Sequence, residues 1–583
     1  MHNHNSLVDL TSAKKITYIL FVPESTLLSP DKCNQLRTTI NSVLTQSVPF
    51  CDFLIISTCR IIAQLTKIID RCILKSLSII QKKIDKEGST PDVENDLSQT
   101  VVSSLNPYVY LYESPKDNFD AALDTVKNIL QTDWIVFLNY STHVASHANY
   151  EFMGSILRYP DSVLIYADHD LVDNEGQRSQ PVFKPSFSLD LFYSQNYIGS
   201  FFAIKTNHIK GYQSLKKYHS FSNFTFAIIL NLIEEIAANF NLSSISSVFS
   251  CKIIHLPTVL NSNRKKILSP KAIAGKSTEQ LRILRDHLNR CYSDVLCAQI
   301  KPFIYRHKWP IDKITPLVSL IVPTKDGYDI LKACIDSIIK KTIYKNYEII
   351  IVDNQTSDKK TLSYLNHLTL NYDYIRIIKY ENKFNYSDIN NLAVKYAEGK
   401  VLGFLNNDIE IISPEWLTEM VSHAIRPDVG CVGALHYYPD MHIQHAGVIV
   451  GMHGVADHAF KGLKKSSRND QFGYLYSIRN PDAVTAATLL VRRELFDLVG
   501  GFDSEYLKIA FNDVDLCLKI IARGYRCVWT PYAELFHHES KTRNTVLLDE
   551  VSMQVELAEH RVMRERWLTD RYLKRDLLRS IDL

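Results

Sequence analysis

The stretch PLVSLIVPTKDG, at residues 316–327, decides the fold of the region around it. Its LVSLIV segment is largely apolar, as in a strand buried on both faces, and PTKDG supplies turn-forming residues. The following YDILKACIDSIIKKT has apolar residues at helical spacing. A buried strand that runs through a turn into an amphipathic helix is typical of a parallel α/β sheet.

The same alternation of strands and helices continues along the chain. A second buried strand, YEIIIVDNQTSD (347–358), and a later one, KVLGFLNND (400–408), both end in polar residues. In doubly wound parallel sheets, ligands bind outside the carboxyl ends of the strands. We therefore predict a doubly wound, mostly parallel α/β sheet with a ligand site at the edge where Asp353 and Asp408 lie.

The first half of the chain repeats this plan in altered form. KITYILFVPEST (15–26) and TDWIVFLNYSTHV (132–144) parallel the strands that begin at Val318 and Val401. Thr58 and Ser141 stand where the second copy has Asp353 and Asp408. The sequence thus predicts two α/β domains in tandem, of which the first is degenerate.

The predicted domain boundaries follow from this repeat and from two regions outside it. We expect a degenerate domain at 1–255, a basic helical connector at 256–314, a catalytic domain at 315–546 and a C-terminal amphipathic helix at 547–583.

Composition excludes several classes of protein. The 66 basic and 63 acidic side chains give a formal net charge of +3, which provides no footprint for nucleic acid. The 11 cysteines form no CxxC pair, the start of the chain lacks a signal-peptide pattern, and no apolar run reaches the length of a membrane span. We expect a cytoplasmic protein. The connector and the C-terminal helix either contact the inner face of the membrane peripherally or are solvated charged surfaces.

The first candidate site groups follow the first two strands of the second copy. A carboxylate at Asp353 could accept the imide N–H of a uracil or thymine ring while the turn formed by Pro323, Thr324, Lys325 and Asp326 lines the base. The alternative is that Asp353 is a turn residue without a ligand.

The second group would hold a cation. Asp408, preceded by Asn406 and Asn407, offers oxygen ligands suited to Mg²⁺ or Mn²⁺, and His537 could complete the site. Arg543 could clamp phosphate oxygens. The alternatives are that Asn406, Asn407 and Asp408 simply begin a loop, and that the segment with His537 and Arg543 is an ordinary loop surface.

The third group is a possible general base. Asp513 starts the helical segment VDLCLKIIARG, where it either caps the helix or removes a proton from an acceptor hydroxyl, with Asp515 as a second candidate. In the first half, Asp168-His169-Asp170 is either a shifted metal motif or a turn at a strand end.

The ordered set of these fragments resembles the family 2 glycosyltransferases of the GT-A fold, and most closely the bacterial rhamnosyltransferase-like and O-antigen-type members with two domains. The fragments are IVPTKDG, IIIVDNQTSD, FNYSDINNLAVKYAEGKVLGFLNNDIEI, IQHAGVIVGMHGVADHAFKG, LLVRRELFDLVGGFD, AFNDVDLCLKI and LFHHESKTR. Asn406 and Asn512 depart from the family pattern, which has Asp and Glu at these positions.

The resemblance implies an inverting transfer of a hexosyl or deoxyhexosyl group from a UDP- or dTDP-sugar to a glycan or lipid-linked glycan in cell-surface polysaccharide synthesis. It implies that Asp353 and the 323–326 turn bind the nucleoside, that Asp408 holds Mg²⁺ or Mn²⁺, and that Asp513 is the base. His537 would be a ligand of the metal or of the diphosphate. Two alternatives stay open, a non-catalytic nucleotide-sugar or glycan-binding scaffold and a nucleotidyltransferase, although PTKDGYDI lacks the Gly-rich phosphate loop typical of the latter.

Overall fold

The structure is a computed structural model of the 583-residue chain. It describes residues 16–23, 29–46, 51–57, 64–72, 108–114, 119–127, 130–173, 175–212, 218, 220–240, 245–264, 268–311, 315–466, 472–538 and 550–568. These residues form two compact units. The first comprises 1–187, 196–236 and 249–287, and the second comprises 188–195, 237–248 and 288–583.

The first unit is built on one mixed sheet. Its strands are β1 (Ile16–Phe21), β2 (Cys51–Ser57), β3 (Tyr108–Glu113), β4 (Trp134–Asn139), β5 (Thr142–Val144), β6 (Leu164–Val172), β7 (Arg178–Val182), β8 (Phe202–Lys205) and β9 (Ile253–Arg264). The helices up to residue 291 include α1 (Pro30–Leu44), α2 (Phe119–Lys127), α3 (Ala148–Arg158), α4 (Leu189–Ser194), α5 (Thr206–Lys210), α6 (Phe221–Ala238), α7 (Ile245–Lys252) and α8 (Pro270–Cys291). Helix α4 belongs to the second unit.

The second unit holds the rest of the described chain. Its strands are β10 (Leu296–Lys301), β11 (Ile304–Lys308), β12 (Val318–Thr324), β13 (Tyr347–Asp353), β14 (Ile375–Lys379), β15 (Val401–Leu405), β16 (Ile409–Ile411), β17 (Val429–Tyr437), β18 (Ile443–His445), β19 (Val448–Val450), β20 (Ala456–His458), β21 (Thr488–Arg492) and β22 (Arg526–His537). Its further helices are α9 (Tyr328–Lys341), α10 (Lys359–Asn371), α11 (Tyr386–Val394), α12 (Trp416–Ala424), α13 (Arg493–Leu498), α14 (Asn512–Ala522) and α15 (Glu550–Trp567).

The two main sheets have the same strand order. It is β3-β2-β1-β4-β8-β6-β9-β5 in the first unit and β14-β13-β12-β15-β21-β17-β22-β16 in the second. Strands β7 and β18 occupy equivalent side positions on β6 and β17. The predicted fold class, two tandem α/β units with doubly wound sheets, is confirmed, and the sequence repeat that predicted it is present in the topology.

The register of the two sheets shows which residues of the first unit occupy the positions of Asp408 and His537. Ile409 pairs with His537 between β16 and β22, and the equivalent pair between β5 and β9 joins Thr142 to Asn263. Ser141 therefore occupies the position of Asp408, as the sequence predicted, and Asn263 occupies that of His537. Thr58, the predicted replacement for Asp353, lies outside the described residues.

The parallel part of the second sheet explains why the candidate residues meet. Strands β12, β13, β14 and β15 pair in parallel, whereas β21 is antiparallel to β15. The inner parallel strands β12, β13 and β15 are almost completely buried and nearly continuous in apolar residues, and the candidate polar residues follow at their carboxyl ends.

The predicted connector at 256–314 is not simply helical. Its first residues belong to β9, which pairs with β6 in the first sheet, so the predicted boundary at 255 falls inside a strand. Its centre is α8, as expected, and its last part is the antiparallel hairpin β10–β11. The strand pattern of β9 is hidden because Pro257 and a run of polar residues, NSNR, interrupt its apolar periodicity.

One described helix, α6, is long and apolar enough to cross a bilayer. In the structure, 67% of the apolar stretch of this helix is buried within the protein, which is the pattern of a core helix. This result concerns only the described residues.

Buried ion pairs connect α4 to other elements of the second unit. Asp190 is fully buried and binds Arg426 Nη1 at 2.6 Å and Arg526 Nε at 2.9 Å. Burial alone would raise the pKa of Asp190, but the two guanidinium groups hold it well below its ordinary value. The carboxylate is therefore charged and fully paired in the folded state.

Candidate functional site

The site begins where β12 and β13 end side by side. Thr324 and Asp353 are partners in the parallel register, and Asn354 N donates to Thr324 O at 2.9 Å. The side chain of Asp353 is buried, and its Oδ1 accepts a hydrogen bond from Thr356 N at 2.9 Å. A carboxylate has further lone pairs, so Asp353 retains capacity to accept a donor from a ligand.

The turn after β12 is shaped by Asp326. Its φ of +51° lies in the left-handed region, and its Oδ1 accepts hydrogen bonds from Ser357 N and Asp358 N, both at 2.8 Å. Through these hydrogen bonds, Asp326 links the turn after β12 to the turn after β13. Pro323 is half-buried and Lys325 is exposed beside this junction.

The candidate metal ligands lie on adjacent antiparallel strands. Because Ile409 pairs with His537, the preceding Asp408 comes close to the same imidazole, and Asp408 Oδ1 lies 3.2 Å from His537 Nε2. The contact lacks hydrogen-bond geometry, and among the described residues Asp408 Oδ1 and His537 Nδ1 are buried atoms without a hydrogen-bond partner. Burial alone would raise the pKa of Asp408, but the adjacent His537 lowers it below its ordinary value.

Asp408 Oδ1 and His537 Nε2 are spaced like two ligands of one hard cation. Neighbouring ligands around an octahedral Mg²⁺ or Mn²⁺ ion with bonds of about 2.1 Å are about 3.0 Å apart, close to the 3.2 Å observed. A buried carboxylate oxygen without a donor is costly unless a cation or a proton satisfies it. The donor set of Asp408 and His537 therefore suits a divalent metal.

Asp513 lies in the first turn of α14. Its Oδ2 accepts a hydrogen bond from Ala486 N at 2.9 Å, and the carboxylate is half-buried. Burial raises the pKa of Asp513, and the hydrogen bond from Ala486 opposes this rise only in part. A carboxylate with a raised pKa is a stronger base than one in water, which suits proton removal from a hydroxyl.

A short chain of contacts joins the candidate base to the candidate metal ligands. The hydroxyl of Tyr386 lies 3.2 Å from Ala486 O and 3.4 Å from Asn406 Oδ1. Asn406 Nδ2 in turn lies 3.3 Å from His537 Nε2. Ala486 N donates to Asp513, so these contacts connect the candidate base to the candidate metal ligands.

The turn at 323–326, the candidate nucleoside contact, lies next to these residues. Asn407 Nδ2 donates to Thr324 Oγ1 at 3.1 Å, which links the metal motif to the end of β12. Asp515, the second candidate base, is fully buried, and its Oδ1 binds Arg566 and Trp567. It is therefore closed to an acceptor. Arg543 lies outside the described residues.

The sequence analysis missed three histidines, which form a row of neighbouring rings that begins at the candidate metal ligand His537. The ring centroids of His436 and His537 are 5.7 Å apart, those of His436 and His445 are 5.4 Å apart, and those of His445 and His458 are 4.9 Å apart. Burial and neighbouring imidazoles hold the pKa values of His436 and His445 well below their ordinary range. The signal available in the sequence was only that these histidines interrupt apolar segments.

The tautomers of the inner pair follow from their hydrogen bonds. Gly447 N donates to His445 Nε2 at 3.3 Å, so this nitrogen carries no hydrogen. The hydrogen of neutral His445 is then on Nδ1, which lies 2.7 Å from His458 Nδ1 and donates to it.

The Asp168-His169-Asp170 triplet of the first unit lies on β6, away from the register position of the metal motif. Asp168 Oδ1 accepts from Lys184 N at 2.9 Å and lies 2.7 Å from His255 Nε2. Asp170 pairs with Arg178 at 2.6 Å. Each carboxylate therefore has a partner of its own within the first unit, and Asp170 Oδ1 is a buried atom without a hydrogen-bond partner among the described residues.

Comparisons with known proteins identify a family for part of the chain. Residues 319–472 match the family described as Glycosyl transferase family 2, a range that includes Asp353 and Asp408 and ends before Asp513 and His537. The chain is 38% identical to the uncharacterized protein y4gI of Sinorhizobium fredii (strain NBRC 101917 / NGR234), over 66% of this chain and 41% of that protein. It is 34% identical to the O-antigen biosynthesis protein RfbC of Myxococcus xanthus, over 74% of this chain and 32% of that protein.

The chain thus spans less than half the length of these two relatives. Among solved structures, it is similar to the mannosyltransferase PcManGT of Pyrobaculum calidifontis, which is described in complex with GDP-Man and Mn²⁺. That likeness is distant, with 17% identity, a TM-score of 0.31, and coverage of 40% of this chain and 61% of that one.

Proposed function

Because residues 319–472 make the second unit a member of glycosyl transferase family 2, we propose that it moves a sugar from a nucleoside diphosphate donor to an acceptor hydroxyl, with inversion at the anomeric carbon. The observation that carries the proposal is the single site that contains Asp353, the Asp408–His537 pair and Asp513. These residues come from separate strands and helices of the second unit, and they correspond to the three tasks of such a transfer.

The first task is to hold the nucleoside. The buried carboxylate of Asp353 would accept the imide N–H of a uracil or thymine ring, and the turn that Asp326 fastens would line the base. A UDP- or dTDP-sugar is the donor class that we propose on this ground. Arg543 would add a phosphate contact.

The second task is to stabilise the negative charge that develops on the departing diphosphate. Asp408 Oδ1 and His537 Nε2 would hold Mg²⁺ or Mn²⁺, and such a cation supplies charge neutralisation at the leaving group when it is bound. The fit rests on the buried oxygen of Asp408 that has no hydrogen-bond donor among the described residues.

The third task is to activate the acceptor. Asp513 takes the proton of the acceptor hydroxyl as its oxygen bonds to the anomeric carbon, while the bond from that carbon to the diphosphate oxygen breaks. The proton ends on Asp513 and the electron pair leaves with the nucleoside diphosphate. The hydrogen bond from Ala486 N orients the carboxylate, and no covalent enzyme intermediate is required.

We further propose that the acceptor is a glycan or lipid-linked glycan of the cell surface, and that the transfer takes place in the cytoplasm, with peripheral contact at the inner face of the membrane. Similarity to a protein of O-antigen biosynthesis supports this context. Hexosyl or deoxyhexosyl transfer is the specificity that we propose.

Donor binding provides the first test. We expect one or more UDP- or dTDP-sugars, with Mn²⁺ present, to raise the unfolding temperature of the purified chain, whereas GDP-sugars should not. NMR of the transfer product should then show the anomeric configuration opposite to that of the donor. Retention of configuration would contradict the inverting mechanism, and donor binding without transfer to any glycan acceptor would favour a non-catalytic scaffold.

A further inference from the structure

The C-terminal helix α15 places a buried carboxylate under the loop that precedes the candidate base. Glu559 is only 2% exposed, and its two oxygens accept hydrogen bonds from the backbone N–H groups of Lys508, Ile509 and Ala510 at 2.7, 2.9 and 2.8 Å. Three backbone donors directed at one charged acceptor form a strong, directional contact. The backbone path of the 503–511 loop therefore depends on a side chain that follows it by about 50 residues.

The same helix holds the loop at two further points. Arg566 Nη2 binds Asp503 Oδ2 at 2.7 Å, and Arg566 Nη1 binds Asp515 Oδ1 at 3.1 Å. Trp567 Nε1 donates to the same oxygen of Asp515 at 2.9 Å. One guanidinium group thus connects the beginning of the loop to the first turn of α14, and Asp515 is fully buried in this contact.

Asp513 lies between these anchors. The preceding Phe511 has a φ of +57°, a left-handed conformation that a bulky residue adopts only when its surroundings impose it. Its ring lies edge-on to His560 of α15, with centroids 4.8 Å apart. The backbone turn that directs Asp513 toward Ala486 is therefore built against α15.

The loop also reaches the other side of the site. Asn385 Nδ2 donates to Ser504 O at 2.9 Å, and the next residue, Tyr386, contacts Asn406 and Ala486. A shift of the loop would disturb the groups on both sides of the reacting atoms.

We propose that α15 is a positioning element of the transfer reaction and that Glu559 is a positioning residue, which acts through the 503–511 loop to hold Asp513 in place. This inference rests on the proposed role of Asp513. The Glu559 carboxylate is buried and bound to the backbone of the loop, so its effect on the reaction is indirect.

The test is the full-length variant Glu559→Gln, with Glu565→Gln as its matched control on an exposed position of the same helix. A glutamine has one amide oxygen for three donors, and its NH₂ group would face an N–H group. We expect kcat for sugar transfer to fall about 10²-fold, the cost of a misplacement of about 1 Å, with the donor dissociation constant unchanged. Equal kcat values for the two variants would overturn the proposal.

A double-mutant comparison tests whether Glu559 acts through Asp513. In the background of Asp513→Asn, the change Glu559→Gln should cause no further loss of kcat, because residues that act as a unit are not additive. A full further loss would overturn the proposal. If Glu559→Gln does not fold, Arg566→Lys decides by the same separation of kcat from donor affinity, since lysine lacks the fork that bridges Asp503 and Asp515.

The outcomes separate this inference from the function on which it rests. If Asp513→Asn is inactive while Glu559→Gln and Arg566→Lys match the wild type, only the role of α15 is wrong. If Asp513→Asn itself retains normal turnover, the proposed base is wrong, and the role of α15 fails with it.

Discussion

Replacing Asp513 with asparagine should abolish catalysis while it leaves the shape of the site intact. The amide oxygen can still accept the hydrogen bond that Ala486 N donates at 2.9 Å, but the side chain can no longer take a proton. Loss of a general base costs about 10²–10⁴-fold in rate, which corresponds to about 2.7–5.4 kcal/mol of activation free energy. Donor affinity should not change, because Asp353 and the Asp408–His537 pair are untouched.

The same substitution should stabilise the fold at neutral pH. Burial raises the pKa of Asp513 above 3.8, so the folded state binds this proton more tightly than the unfolded state does. The charged form therefore opposes folding as the pH rises through and above the folded-state pKa, and asparagine removes that cost. Below about 3.8 the carboxyl is protonated in both states, and the advantage of the variant should disappear.

The assay measures sugar transfer, donor affinity by calorimetry and chemical unfolding at neutral and acidic pH. The expected pattern is lost turnover, unchanged donor binding and a gain in unfolding free energy that is present only at the higher pH. Turnover within a few-fold of the wild type would refute the assignment of the base. A loss of stability at neutral pH would refute the argument from burial.

Three further predictions concern other groups of the second unit. Asp408→Ala should weaken metal-dependent donor binding by at least about 10²-fold, since even outer-shell partners of metal ligands contribute up to that factor; wild-type activity that EDTA leaves intact would disprove the metal site. Asp190→Ala should lower the unfolding free energy by about 3–5 kcal/mol, because it removes the carboxylate that lies 2.6 Å from the buried Arg426 and 2.9 Å from the buried Arg526, and an unchanged denaturation midpoint would contradict this. Burial would raise the pKa of Glu419, but His423 and Arg306 lower it to about 2. The contribution of Glu419 to stability is therefore complete above pH 4.5 and is lost as the pH falls toward 2. The loss of unfolding free energy in Glu419→Gln should shrink over that pH range, and a loss that does not change with pH would contradict this.

The sequence predicted the parts of the site that lie at strand ends. Asp353 and Asp408 follow apolar runs, and parallel topology brings such ends to one edge of the sheet, so local pattern and fold class together were sufficient. The replacement of the Asp408 carboxylate in the first unit was visible for the same reason, since Ser141 occupies an aligned strand end.

What the sequence could not show depends on contacts between distant segments. Glu559 and the 503–511 loop meet only in the folded chain, and no local pattern distinguishes this buried glutamate from its exposed neighbours on α15. His445 and His458 likewise meet only because β19 and β20 pair. Helix α11 ends at Val394, well before Gly399, and a Cβ at Gly399 would lie 2.6 Å from Ser319 N. The glycine serves close packing of two segments, which local propensity does not report.

The most direct test of the account is calorimetric titration of the nucleotide-sugar donor that thermal shift identifies, with Mn²⁺ present. One live site in the second unit predicts a stoichiometry near one per chain for the wild type, and no binding for the double variant Asp353→Ala with Asp408→Ala. The first unit has Ser141 and Asn263 in place of the metal ligands, so it should contribute none. Donor binding that persists in the double variant would contradict the account and would locate a donor site in the first unit.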